Sequence, residues 1–442
     1  MTPMSAAHRL VSVLVALLVV AAIAMLGLRA GGGAIGRGPD RSEAPTSEAT
    51  GTPSTEPSAT PSGSVAPSAP SEAEAQTILA EIEEQVIAIR GLGAADIGPA
   101  EIIGRQELGA ELQRVFDEEY TLEERERDNL SLQAFGLLEP DQDIAALQLE
   151  LLGDQVLGFY NKRQKRMVVV SDAGLTVGAQ VTYAHEYTHA LQDAAFGRDS
   201  LELDAVGEDD RGLARTALSE GDATVTMLSW MLQHLTQDEI LEYFASAEIP
   251  DTTGSPSWMV AQFAFPYEAG LTWTTALAGG DPTSPDFTEI NAAYDDPPDS
   301  TEQVIELDKW DPREVPDSID RPDLAAALGD GWEEVYATPI GQASIGIMLE
   351  YHGVSPTDAR AASAGWGGDR AVIVTGPDDA FAVAWRLSWD SAADADEFLA
   401  AYQTAIGSLD FPASTTELPN GEILVVHASD EDLLRRTADA AD

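Results

Sequence analysis

The body of the chain opens with a stripe of apolar residues at helical spacing. The stripe begins near Gln76 and is closed by a glycine: Ile78, Leu79, Ile82, Val86, Ile89 and then Gly91. This period predicts a helix that buries one face. Similar stretches predict three more helices, over Leu108 to Phe116, Leu122 to Phe135 and Ile144 to Leu152. We expect these helices to form an N-terminal layer over the part of the chain that follows.

A change to β-prone runs marks the next segment. Leu157 to Tyr160 and Met167 to Val170 flank the basic stretch 161–166, which predicts a hairpin with a solvated turn; an anion-binding turn is the alternative. From Val177 to Phe196 the pattern returns to helical spacing without a proline and ends at Gly197. This predicts a helix closed by a left-handed glycine cap.

The C-terminal part of the chain shows a period of two. Apolar residues alternate along Phe381 to Trp389, as in a strand with one buried face. Around it the pattern predicts two more strands and three helices: Ile340 to Tyr351, Ala371 to Thr375, Ala392 to Ile406, Ile423 to His427 and Asp430 to Ala438. The order after Ala371 is ββαβα, which predicts a small α+β module. The Pro- and Asp-rich stretch 282–322 is expected to be irregular, and the fold class of the whole chain to be α+β.

Near its N-terminus the chain has an apolar run from Leu10 to Leu28, preceded by Arg9 and long enough to cross a bilayer. It predicts a signal anchor, with the membrane as a partner and the body outside the cytoplasm; if the segment is cleaved, the protein is secreted. A Pro-, Ser- and Thr-rich stretch follows and predicts a disordered linker, with a cytoplasmic body on that linker as the alternative. The predicted divisions are an anchor, a linker, a catalytic domain and the module: 1–30, 31–75, 76–335 and 336–442.

The composition of the chain limits the classes of partner that it is expected to bind. The 442 residues carry a formal net charge of -52 at pH 7, which makes nucleic acid and anionic membrane surfaces poor partners for the body. The chain has no cysteine, so disulfides are excluded and stability rests on the apolar core and on any bound metal. Nothing in the sequence indicates an oligomeric state.

The candidate chemistry lies on the predicted helix 177–196. His185, Glu186 and His189 form an HExxH pattern, and two of the six histidines of the chain stand there. Residues four apart share a helix face, so both histidines can bind one metal ion. Glu186 is turned about 100° from His185 and flanks the metal as a candidate general base. A chance match on a surface helix is the alternative.

A catalytic zinc site normally takes a third protein ligand, and Glu220 is the best candidate for it. It lies in the predicted helix Leu213 to Leu235, where an unpaired buried carboxylate would be costly. Gly221 beside it indicates a close approach of this helix to the predicted helix 177–196, which carries the HExxH pattern and is called the metal helix below. The alternatives are three carboxylates of the preceding loop: Glu202, Asp204 and Glu208.

Other polar residues near the pattern are candidates for supporting roles. Asp193 and Asp222 are expected to orient the histidines or else to lie on the surface. His234, His352 and His427 each stand alone in the sequence, and a lone histidine is more often structural than a ligand.

The pattern His185 to His189, followed by Glu220 to Ala223, resembles the gluzincin class of zinc metallopeptidases. Further segments are similar to a group of prokaryotic secreted or surface proteins built around such a site: 158–160, 190–193, 265–270, 298–304 and 365–370. The resemblance implies a zincin-like catalytic unit with Zn²⁺ on His185, His189 and Glu220. The chain departs from that group after Val304, where a histidine-proline pair is expected.

The implied activity is zinc-dependent hydrolysis of peptide bonds in a protein or peptide substrate. Glu186 would take the proton of the attacking water, and Tyr267, expected in a turn before a helix, would donate to the oxyanion. The alternative interpretation, with equal support from the sequence, is that Tyr267 is a residue of the apolar core. The alternative function is a non-catalytic envelope protein with a structural metal site. The presence of Glu186 disfavours this alternative, because structural zinc needs no general base.

Overall fold

The computed structural model describes residues 70–153, 156–172, 174–197, 199–203, 205–246 and 252–442. Over these residues the chain is an α+β protein with one three-stranded and one five-stranded sheet, which confirms the coarse fold class. The predicted anchor and nearly all of the predicted linker lie outside the described residues.

The N-terminal layer consists of four helices. They are α1 (Glu72–Arg90), α2 (Arg105–Glu119), α3 (Leu122–Ala134) and α4 (Ile144–Gly153). Helix α1 begins inside the segment predicted to be linker. Its start is set by Ser71, whose hydroxyl accepts from the Glu74 N–H while the Glu74 carboxylate accepts from the Ser71 N–H. Gly91 closes the helix in the left-handed region, with φ of 74°.

The first sheet contains β1 (Glu101–Ile103), β2 (Gly158–Asn161) and β3 (Arg166–Val170), in the order β1-β3-β2. Strands β2 and β3 are antiparallel, which confirms the predicted hairpin, and β1 adds a parallel strand that the sequence pattern did not predict. Strand β2 is the edge nearest the metal helix. A side chain at Gly158 would come within 2.8 Å of Thr182 Cγ2, so glycine is what permits this packing.

The metal helix is α5 (Val177–Phe196), which the sequence predicts with the same bounds. Thr176 caps its start by accepting from the Ala179 N–H. At its end Gly197 has φ of 91° and ψ of 141°, so the predicted left-handed cap is wrong, although the positive φ still favours glycine.

Helix α6 (Asp209–His234) carries Glu220. The next two helices along the chain are α7 (Gln237–Ser246) and α8 (Ser257–Leu277), and α8 crosses α6. At the crossing, a side chain at Gly221 would clash with the Gly270 carbonyl and lie 2.7 Å from Thr274 Oγ1. The close approach predicted from Gly221 is therefore real, but its partner is α8 and not the metal helix.

Residues 282–322 contain more helix than the Pro- and Asp-rich composition predicts. The short helices are α9 (Thr288–Asp295), α10 (Thr301–Ile305) and α11 (Leu307–Trp310), and α12 (Leu324–Leu328) follows them. The start of α10 is buried because Thr301 binds the carboxylate of Asp210 on α6. This stretch therefore packs against α6 as ordered structure.

The C-terminal module is built on an antiparallel five-stranded sheet of order β4-β5-β6-β8-β7. Its strands are β4 (Glu333–Thr338), β5 (Trp366–Thr375), β6 (Phe381–Trp389), β7 (Ala413–Glu417) and β8 (Ile423–Ala428). Its helices are α13 (Gly341–Tyr351), α14 (Pro356–Ser363), α15 (Ala392–Ile406) and α16 (Glu431–Ala441). The predicted ββαβα order is incomplete, because it lacks β4 and β7 and begins the strand β5 at Ala371 instead of Trp366.

Two histidines join the module to the N-terminal layer. His427 Nδ1 donates to the Ala134 carbonyl oxygen at 2.7 Å, and His352 Nε2 donates to that of Phe135 at 3.0 Å. These carbonyls end helix α3 and have no partner within the helix. Both histidines are therefore structural, in agreement with the sequence-based interpretation.

None of the helices in the described ranges is long and apolar enough to cross a membrane. This finding overturns the prediction of a membrane-anchored, single-pass protein with the membrane as a partner and its body outside the cytoplasm. The apolar run Leu10 to Leu28, on which that prediction rested, lies outside the described residues.

Candidate metal centre

Helices α5 and α6 bring three potential ligand atoms into a small triangle. His185 Nε2 lies 3.2 Å from His189 Nε2 and 3.2 Å from Glu220 Oε2, and His189 Nε2 lies 3.3 Å from Glu220 Oε2. The pair His185 and His189 is one turn apart on α5, as the HExxH spacing predicts. The structure thus brings together the three residues that sequence analysis selected as metal ligands.

The triangle has the dimensions of a metal site. Ligand atoms about 2.0 Å from a tetrahedral ion are separated by about 3.3 Å, which matches the three distances. Two imidazole nitrogens and one carboxylate oxygen form a donor set that suits zinc and other divalent transition metals. The residues therefore fit a metal ion, and their chemistry leaves the identity of that ion open.

Two of the three alternative third ligands, Glu202 and Glu208, do not belong to this triangle. Glu202 pairs with Arg215, with its Oε2 3.2 Å from Nη1, and Glu208 lies 3.7 Å from Arg370 Nη2. Asp204 lies outside the described residues. Within the described ranges, Glu220 is the carboxylate that completes the group with the two histidines.

The charges of the triangle are strongly coupled. Burial opposes ionisation of Glu220, but the neighbouring His189 and His185 outweigh it and hold the Glu220 pKa at about 2. Burial likewise opposes protonation of His189, but the Glu220 carboxylate raises the His189 pKa to about 9, whereas burial lowers that of His185. A metal ion entering the triangle must therefore displace a proton.

Glu186 is held beside the triangle by the edge strand. Its Oε2 accepts the backbone N–H of Tyr160 on β2 at 3.0 Å, and only 2% of the residue is exposed. Burial raises the Glu186 pKa to about 8, against a smaller opposing effect of His189. A carboxyl group in this range can both take up and release a proton near neutral pH.

Tyr267 packs against the ligand carboxylate. It lies inside α8, not in a turn before a helix as predicted, and its ring centre is 6.3 Å from that of His185. Its hydroxyl donates to Glu220, and burial, with the nearby Glu220 and Glu186 carboxylates, keeps the Tyr267 pKa well above its usual range. This contact holds Glu220 in place; oxyanion stabilisation by Tyr267 stays a prediction.

Gln192 contacts the outer nitrogen of His189, and sequence analysis did not select it. Its Oε1 lies 2.9 Å from His189 Nδ1, and its Nε2 donates to the Ser219 carbonyl oxygen at 3.0 Å and to Asp222 Oδ2 at 2.9 Å. Asp222 thus supports His189 through Gln192. Asp193, the other predicted supporting residue, accepts from the Tyr160 hydroxyl at 2.9 Å.

Arg90 completes this arrangement and was also missed. Its guanidinium binds Asp222, with Nε 2.7 Å from Oδ1 and Nη2 3.1 Å from Oδ2. The signal was present in the sequence, because Arg90 continues the buried stripe of α1 one turn beyond Val86. A basic residue on a buried stripe indicates a buried acidic partner.

Comparison with known proteins covers the module and not the metal centre. A family model described as a domain of unknown function (DUF8575) matches residues 331–437. This match runs from just before β4 into α16. No curated protein and no solved structure matches the chain. The case for function therefore rests on the geometry of the triangle and its neighbours.

Proposed function

We propose that this protein is a zinc-dependent peptidase with a zincin-like catalytic unit, formed by the first sheet and helices α5 and α6. The observation that carries the proposal is the triangle of His185, His189 and Glu220 with the Glu186 carboxylate beside it. An edge strand followed by an HExxH helix and a glutamate helix agrees with the resemblance to gluzincins.

The number of ligands favours catalysis over a structural role. Structural zinc is usually held by four protein ligands, whereas catalytic zinc keeps one position for water or substrate. The group found among the described residues has three members. A buried glutamate next to the first histidine is also superfluous in a structural site.

Each residue of the site has a defined task in this proposal. His185, His189 and Glu220 hold the zinc, which supplies Lewis acidity for hydrolysis when bound. Glu186 takes a proton from the attacking water at Oε1, the oxygen that Tyr160 does not hold, and returns it to the leaving amine. The Tyr160 N–H keeps the carboxylate oriented through both transfers.

Chelation tests the proposal directly. The purified full chain, incubated with a denatured protein and a mixed peptide library, is expected to cleave peptide bonds, to stop after zinc is removed, and to recover when zinc is returned. A protein that contains zinc but cleaves neither substrate would favour the alternative, a metal protein without catalytic activity. Cleavage that persists in the zinc-free protein would contradict the role given to the triangle.

A further inference from the structure

The amide of Gln192 is held in one orientation by its surroundings. An amide group can be turned over so that its oxygen and nitrogen exchange places. Here the nitrogen faces two groups that only accept, the Ser219 carbonyl oxygen at 3.0 Å and the Asp222 carboxylate at 2.9 Å. The oxygen is therefore the atom that faces His189, and the Ser219 hydroxyl also donates to it at 2.9 Å.

This orientation decides which ring nitrogen of His189 is available to a metal. Gln192 Oε1 only accepts, so His189 Nδ1, at 2.9 Å from it, must carry the hydrogen. The lone pair of a neutral His189 is then at Nε2, the atom that points into the triangle with His185 and Glu220. By contrast, His185 Nδ1 is buried and has no hydrogen-bond partner among the described residues.

Asp222 faces Gln192 as an acceptor because its carboxylate is bound by a buried guanidinium. The Arg90 guanidinium donates to both carboxylate oxygens, with Nε 2.7 Å from Oδ1 and Nη2 3.1 Å from Oδ2. The Tyr294 hydroxyl adds a third contact, donating to Oδ2 at 3.0 Å. Arg90, Asp222 and Gln192 are 1%, 0% and 6% exposed, so water cannot easily replace these contacts.

We propose that Gln192 is a positioning residue that presents His189 Nε2 to the metal, and that the buried Arg90–Asp222 pair sets the orientation of Gln192. The chain of contacts runs from α1 through α6 to the metal helix α5. The inference rests on the proposed function only in that the triangle holds a metal ion. A histidine that binds a metal commonly donates its other ring N–H to a carboxylate or a carbonyl oxygen. For His189 the acceptor is the neutral amide of Gln192, and the buried Arg90–Asp222 ion pair orients that amide.

Asp222→Asn tests the direction of the contacts. Arg90 Nε keeps the amide oxygen of the introduced asparagine, so the asparagine nitrogen faces Gln192 Nε2. The Ser219 carbonyl oxygen still accepts from Gln192 Nε2, but a donor now opposes it, so the Gln192 amide is no longer held in one orientation. In the turned-over orientation Gln192 Nε2 opposes the hydrogen on His189 Nδ1. We expect Zn²⁺ affinity, measured by competition with a chelator, to fall about 10-fold or more. The absorption spectrum of bound Co²⁺ should change as His189 is displaced.

The reciprocal double variant is the matched control. In Gln192→Glu with Asp222→Asn, the new carboxylate accepts both from the amide nitrogen introduced at position 222 and from His189 Nδ1, while the total charge of the two positions is unchanged. This variant should recover part of the lost affinity and shift the Co²⁺ spectrum back towards that of the wild type, with recovery limited because one carboxylate oxygen then lies against the Ser219 carbonyl oxygen. A merely structural defect would not be relieved in this way. Gln192→Met removes the acceptor at similar size and should lose affinity even if Asp222→Asn fails to fold.

The outcomes separate this inference from the proposed function. If the wild type binds Zn²⁺, and Asp222→Asn and Gln192→Met bind it as tightly, the inference is wrong while the metal site stands. If the double variant is no better than Asp222→Asn, the orientation argument is wrong. A wild type that binds neither ion overturns the proposed function, and this inference with it.

Discussion

Glu220 adds a buried carboxylate to two histidines one helical turn apart, which gives a group of three potential metal ligands. It is 1% exposed, and it lies within 3.3 Å of both imidazole nitrogens. The cost of burying an unpaired carboxylate in an apolar helix was the reason to select it from sequence, and the structure supplies its partners. The loop carboxylates lack this argument because solvent can satisfy them.

Replacing Glu220 by alanine removes one of three ligand atoms. We expect zinc content to fall towards zero, as it should in His189→Ala, because two imidazoles alone hold zinc poorly. Metal analysis of the purified protein measures this. Glu202→Ala and Glu208→Ala are the controls and should keep wild-type zinc content; a zinc-free Glu202→Ala with an unaffected Glu220→Ala would move the third ligand to the loop.

Tyr267→Phe separates two roles for one hydroxyl. If the hydroxyl positions Glu220, as its contact indicates, zinc affinity should fall by up to about 10-fold while the fold is kept. Chelator competition and steady-state kinetics on a cleaved peptide measure the two effects. A lower kcat with unchanged zinc affinity would instead support the oxyanion role predicted from sequence.

Residues whose positions follow from local spacing can be selected from the sequence alone. His185, Glu186 and His189 share one helix, so the period of that helix places them. Gln192 is on the same helix, but its role depends on Asp222 and Arg90, which are far apart in sequence and meet only in the fold. Such contacts between distant segments leave no regular pattern in a single sequence.

At the scale of elements, the close crossing of α6 and α8 determines how near Tyr267 lies to Glu220. Gly221 and Gly270 let the two backbones touch, since a side chain at either would clash with the other helix. Tyr267 lies one turn before Gly270 and Glu220 lies next to Gly221. The glycine contact therefore brings the Tyr267 hydroxyl next to the Glu220 carboxylate.

Gly221→Ala should lower the free energy of unfolding by about 1–3 kcal/mol, because the added methyl group forces the two helices apart. Its matched control is Gly109→Ala on α2, where an added Cβ has no neighbour within 4 Å. That substitution should raise stability by about 0.5–1 kcal/mol. Chemical denaturation measures both, and equal effects at the two positions would contradict the close crossing.

The histidine contacts to α3 predict sensitivity to acid. Burial lowers the His427 pKa to about 4, while an unfolded histidine titrates near 6.5. The unfolded chain therefore binds a proton first, and the stability present above pH 6.5 is lost as the pH falls towards 4. The loss is at most about 3 kcal/mol from this residue.

Unfolding free energies of the wild type and His427→Asn, measured between pH 7 and 4, test this prediction. The asparagine side chain keeps an amide donor for the Ala134 carbonyl but does not titrate, so the variant should be less stable at pH 7 and fall less steeply on acidification. Parallel pH profiles for the two proteins would show that His427 does not titrate as its burial indicates.

The sequence pattern did not predict the two edge strands of the five-stranded sheet, β4 and β7. Strand β7 (Ala413–Glu417) has mostly half-buried or exposed residues, and β4 (Glu333–Thr338) begins with two exposed glutamates and pairs through a bulge. Both lie at edges of the five-stranded sheet. Edge strands need no alternation of apolar residues, so the period of two that revealed β6 was absent from them.

At the scale of the whole molecule, the candidate metal centre and the matched family domain are different parts of one chain. The domain match begins at residue 331, beyond every residue of the triangle and its supporting contacts. The acidic chain, with its net charge of -52, favours the approach of a metal cation and disfavours anionic partners. The expectation that nucleic acid is not a partner stays a prediction.

Glu186→Gln tests the central claim most directly, because it removes the proposed base and keeps the ligands. The account predicts that wild type and variant bind the same amount of zinc, and that peptide cleavage falls about 10²- to 10⁴-fold in the variant. Zinc analysis and a peptide-cleavage assay on the same two preparations give the answer. Equal zinc content with equal, negligible cleavage by both proteins would contradict the account.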